Sequence, residues 1–130
     1  MKRVILSAIA ALFIFTLSAQ SRVFCEIVER KAKGKSVKVT IDFGQKREKT
    51  QKLQSLVDEN GENIIFNSKI DALNYMHSLG WEFMQAYTEV GGSDGDTHSQ
   101  IHWLLYKDVQ SEENPFEGIT TKEMHNKGVK

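Results

Sequence analysis

The chain has no excess of either charge: 17 lysines and arginines face 17 aspartates and glutamates over 130 residues. That balance removes the electrostatic basis for binding nucleic acid, which needs a basic face. Cysteine is almost missing. Cys25 stands alone, so no intrachain disulfide can form and packing must hold the fold. Internal repeats and low-complexity tracts are absent. No serine sits in a nucleophile elbow, no glycine-rich phosphate loop follows a strand, and no catalytic or metal signature is complete. The expected catalytic set is therefore empty, and no cofactor is implied. With 26% charged and 40% hydrophobic residues, the composition fits one soluble globular domain. A membrane bundle and a disordered chain are both excluded.

One long apolar run is present, and it stands at the start. Lys2 and Arg3 precede Val4–Phe15, and small and polar residues follow from Thr16 to Ser21. That layout is a secretory signal peptide cut near Ala19. A membrane span needs about 20 apolar residues and this run is shorter. A lipoprotein would need a cysteine directly after a small-residue box, whereas Cys25 follows Arg22-Val23-Phe24. The expectation is a signal peptide over 1–19, a single α+β domain over 20–110, and a C-terminal tail over 111–130, partly disordered or docked. The product is secreted or periplasmic, with no membrane span after signal removal. Losing Lys2 and Arg3 leaves 15 bases against 17 acids, a mature charge of −2. About 110 residues can bury roughly two-thirds of their unfolded surface in one core.

Val23–Arg30 is β-branched and apolar enough for a first strand, with Cys25 as a small buried residue. Lys33-Gly34-Lys35 signals a turn. Val37, Val39, Ile41 and Phe43 then alternate with Lys38, Thr40 and Asp42, a strand with one face buried. Gln45–Lys52 is a solvated charge run. Leu56–Phe66 predicts a hairpin turning at Asn60-Gly61 in a type I′ turn. A calcium loop on Asp58, Asn60 and Glu62 is the competing reading, but Ile64, Ile65 and Phe66 break its spacing.

The next element carries the clearest marks. Ser68 offers an N-cap, Asp71 stands three residues on, and Ile70, Leu73, Met76 or His77, and Leu79 recur at helical spacing. Gly80 ends the helix in a left-handed cap. Trp81–Glu89 continues as a strand, Val90–Ser99 as a flexible connection, and Ile101–Asp108 as the returning strand. The fold expected is α+β: a small antiparallel sheet of four to six strands, in the order β-β-β-β-α-β-β, with one main helix on one face.

Leu73-Asn-Tyr-Met-His-Ser-Leu-Gly-Trp-Glu82, with Tyr106-Lys107 closing the hairpin and Phe24–Val28 opening the sheet, resembles a family of small secreted bacterial domains of unknown function. Their shared motif is helix, Gly-Trp-Glu, β-hairpin, matched here over residues 73–107. His77 departs from the pattern, and the Gln45–Phe66 insertion is larger than usual. The resemblance implies a β-α-β-β unit and supplies no activity.

Candidate chemistry is sparse. Asp94, Asp96, His98 and His102 are the dense ligand set, offering O and N donors to a divalent metal. His77 and Glu82 form a possible acid–base pair, and His125 has no evident partner. More informative is that both faces of the last two strands carry large apolar groups, which one helix cannot cover. The tail through Phe116 and Ile119, the Leu56–Phe66 hairpin, a second copy or a ligand must cover the second face. The leading expectation is a non-catalytic binding or protein-interaction module. Met84, Trp103 and Tyr106 are its contact residues, and a homo-oligomer or protein partner meets the aromatic sheet face. The alternative is a small metal-dependent enzyme using the Asp94–His102 loop.

Overall fold

The computed structural model describes residues 19–46, 54–93 and 96–128. The segment before residue 19, where a signal peptide is expected, most of the Gln45–Lys52 charge run and Asp94-Gly95 lie outside the described residues. Four strands and two helices follow in the order β1 (Gln20–Lys31), β2 (Val37–Asp42), α1 (Lys69–Ser78), β3 (Glu82–Ser93), β4 (Asp96–Gln110) and α2 (Lys122–Asn126). The strands form one antiparallel sheet in the order β2-β1-β4-β3. The class is α+β with one main helix, and the element order is β-β-α-β-β.

The two strands expected between β2 and the helix are replaced by isolated bridges. Thr40 bridges Ser55 and Val37 bridges Phe66, so the Leu56–Phe66 segment lies along the outer edge of β2. Its turn differs from the type I′ expectation. Gly61 N–H donates to Asp58 O at 3.0 Å, which makes Gly61 the fourth turn residue, at φ +78°. Asp58 Oδ1 accepts from the backbone of Asn60 and of Glu62 at 2.9 and 3.0 Å. An aspartate that caps its own turn in this way favours the longer loop ending in a left-handed glycine.

α1 follows its sequence signals closely. Ser68 Oγ accepts from Asp71 N–H at 3.3 Å, and Asp71 Oδ2 accepts from Asn67 N–H at 2.9 Å. At the other end Gly80 stands at φ +87°, its N–H bonded to His77 O and the Trp81 N–H to Met76 O. That pair of bonds is the Schellman stop. Lys107 Nζ donates to Leu79 O at 3.0 Å, adding a cation at the negative end of the helix dipole.

The buried stripe of α1 is Ala72 and Met76, flanked by Leu73, Tyr75 and Leu79. Ile70, expected in that stripe, is 56% exposed. Trp81 is fully buried and stacks on Phe116 at 5.6 Å, while Phe116 meets Phe43 at 4.5 Å. Ile119 and Thr121 are buried as well, and Val57 N–H bonds Thr120 O. The C-terminal residues and the bridged segment thus close the helix side of the sheet, over Ile27, Val39, Ile41 and Leu105. Neither one covers the second face.

β3 and β4 run further than expected. Residues assigned to a flexible connection pair in register, Gly91 with His98 and Ser93 with Asp96. The register also slips between Phe83 and Gln85, leaving Met84 as an extra residue. This bulge exchanges the faces that strict alternation from Trp81 would give the rest of β3. Phe83 and Ala86 lie on the helix side, opposite Leu105 and Trp103, and Gln85 and Tyr87 lie on the open side.

Candidate functional site

Strand parity sends Glu26, Val28 and Arg30 of β1, Thr40 and Asp42 of β2, His102 of β4, and Tyr87 and Glu89 of β3 to the open face. The register aligns them: Val28 opposite both Thr40 and His102, Glu26 opposite Asp42, Tyr87 opposite His102. Together they line a hollow of about 440 Å³. The sheet is the floor, and no described element packs above it.

His102 organises the hollow. It is only 8% exposed, and its Nδ1 lies 2.6 Å from Glu26 Oε1. A carboxylate can only accept, so in the neutral ring Nδ1 carries the hydrogen and donates it. The other Glu26 oxygen, Oε2, accepts from the Tyr87 hydroxyl. Tyr87 also stacks on the His102 ring, with centroids 5.0 Å apart and planes 19° from parallel. The bond to Glu26 pushes the Tyr87 phenol up to about 12, with smaller contributions from desolvation and from the charges of Glu26 and Glu89. His102 Nε2 is buried without a hydrogen-bond partner, although Glu89 Oε2 stands 3.1 Å away. With the hydrogen on Nδ1, neither Nε2 nor the Glu89 carboxylate has one to donate to the other. Glu89 is largely exposed, so its carboxylate can swing aside. Three carboxylates, from Glu26, Asp42 and Glu89, share the hollow with Arg30.

The contact residues expected from sequence do not share one surface. Trp103 is half-buried on the helix side, packed against the core and tilted on Phe83 at 5.7 Å. Tyr106, three residues on, faces the open side beneath the Arg22 guanidinium at 4.2 Å. Met84 is exposed at the bulge. Of the metal set, only His98 and His102 are described with their side chains. Asp94 lies outside the described residues, and Asp96 is placed only as the first residue of β4. His98 and His102 lie on the same side of β4, four residues or about 13 Å apart, too far to share one ion. His77 and Glu82 approach to 3.6 Å but both are well exposed. His125 packs its ring over Gly61, where a Cβ would come within 2.5 Å of it. Burial pushes the Cys25 thiol up to about 12, which leaves it unreactive.

Sequence reasoning missed Glu26, Tyr87 and Glu89 as site residues. The available signal was a carboxylate inside the apolar run Phe24–Val28, where an acid needs a partner. Comparison with family models, curated proteins and solved structures finds no match.

Proposed function

We propose that this protein is a non-catalytic binding module and that the hollow on the open sheet face is its ligand site. The ligand is a small molecule with a cationic hydrogen-bond-donating group, such as an amine. The observation that carries this reading is that His102 Nε2 and Glu89 Oε2 converge 3.1 Å apart with no hydrogen bond between them, and in the neutral ring both are acceptors. A donor entering there satisfies both, and the surrounding carboxylates favour one that is positively charged. Glu26 fixes the imidazole, so the site needs little reorganisation to bind. Phe24, half-exposed and opposite Tyr106, extends the same surface with apolar area for a ligand's hydrocarbon part. Self-association through that aromatic face is the less favoured reading, because Arg22 already covers the Tyr106 ring. The setting we infer is outside the cytoplasm, supported by Lys2-Arg3 and the apolar run after them.

Thermal-shift titration with putrescine tests the reading, with glutamate and glucose as anionic and neutral controls. Putrescine should raise the melting temperature, and Glu89→Gln and His102→Ala should each remove that rise. Stabilisation by glutamate with none by putrescine would overturn it.

A further inference from the structure

The two edges of the sheet are treated differently. The outer edge of β2 is paired: Val37 and Phe66 exchange backbone bonds of 2.9 and 2.8 Å, and Leu56 N–H bonds Val39 O at 3.0 Å. The outer edge of β3 meets no backbone among the described residues. β3 is 12 residues long and exposed from Glu82 to Val90. It contains no lysine, arginine or proline, the residues that usually guard such an edge. Its bulge protects only the end at Met84, and residues 85–93 pair with β4 without interruption.

We infer that β3 pairs antiparallel with β3 of a second copy about a two-fold axis at Thr88, joining two four-stranded sheets into one of eight strands. Side-chain alternation limits the register. A two-fold axis normal to the sheet must set residues of the same face opposite each other, so some residue faces its own copy. An axis at Glu89 would place two carboxylates directly opposite, which is destabilising. An axis at Tyr87 would run the Met84 bulge against Val90. An axis at Thr88 avoids both and pairs residues 85–91 throughout. Thr88 then faces the partner's Thr88, Ala86 faces the partner's Val90, and Tyr87 faces the partner's Glu89. Threonine pairs and apolar pairs at such positions are favourable. Seven residues a side is far below the roughly 20–30 of a standard interface, so the dimer forms in the micromolar range. The axis also sets the two hollows side by side, each bordered by Tyr87 and Glu89 of both copies.

Sedimentation of the purified protein, up to concentrations on the order of 100 μM, reads this directly. The average mass should climb towards that of a dimer. Thr88→Lys, which sets two ammonium groups across the axis, should stay monomeric with an unchanged melting temperature. Mixing it with Thr88→Glu should restore dimers of the two variants. Thr88→Cys should cross-link on air oxidation, since Cys25 is buried and does not compete. A wild-type chain that stays monomeric, a Thr88→Lys chain that still associates, or a Thr88→Cys chain that does not cross-link would each overturn the proposal. A mixture that stays monomeric would overturn the axis at Thr88.

Discussion

On the helix side, Cys25, Ile27, Val39, Ile41 and Leu105 are sealed beneath Met76, Trp81 and Ile119. Alternating with them along the same strands, Glu26, Thr40, Asp42 and His102 open onto the hollow. A period of two lets each strand do two jobs, because neighbouring side chains never share a face. The helix side holds the fold by excluding water. The open side holds a charged network that exclusion of water would penalise. Damage on one side should therefore leave the other side's property in place.

The largest expected effect is on the sealed side. Trp81→Ala should cost about 3–5 kcal/mol, a large part of the 5–15 kcal/mol that holds a domain of this size. Urea denaturation measures it. A loss as small as that of a surface substitution would break the contrast between the faces. Gly80→Val comes next. Its added Cβ meets only the flexible Lys107 chain at 3.1 Å, so the cost is the left-handed backbone itself. About 1–3 kcal/mol is expected, seen as a clear fall in melting temperature. Gly61→Ala combines φ +78° with a ring only 2.5 Å from the new carbon, so it should destabilise comparably unless the His125 ring moves aside. His125→Ala in the same chain should recover the steric part alone.

The contrast between the faces also explains which features could be read from sequence. The α1 boundaries were legible because each cap is local: Ser68 with Asp71, and Gly80 with His77, act within a few residues. Burial of Trp81 follows from the same local turn, since Gly80 reverses the chain there. The strand pattern at Val37–Ile41 needed only alternation. The hollow was not legible, because Glu26 and His102 meet only after β1 and β4 pair across 76 positions. Register is set by the whole sheet, and a single inserted residue, Met84, exchanges the faces of everything after it in β3. Trp103 shows the consequence. Its size suggested a contact surface, while its parity on β4 places it against the core.

Glu26→Gln sharpens the contrast from the open side, where the stability change should be modest, about 1–2 kcal/mol. Its main effect is on titration. Tyr87 donates to Glu26, which holds the phenol at about 12 in the fold against about 10 in an unfolded chain. A raised value means that this bond stabilises the fold fully below pH 10, and that the contribution is lost as pH rises through 12. Tyrosinate has no hydrogen to donate, which is the physical reason for the sign. Ultraviolet absorbance of the phenolates should show one tyrosine ionising near 12 that is missing in Tyr87→Phe. Burial also raises Tyr75, so that control separates the two. In Glu26→Gln the Tyr87 step should return towards 10 while the fold and the Tyr75 step persist. If the Tyr75 step moved with it, the two faces would be coupled through the sheet and their independence would fail.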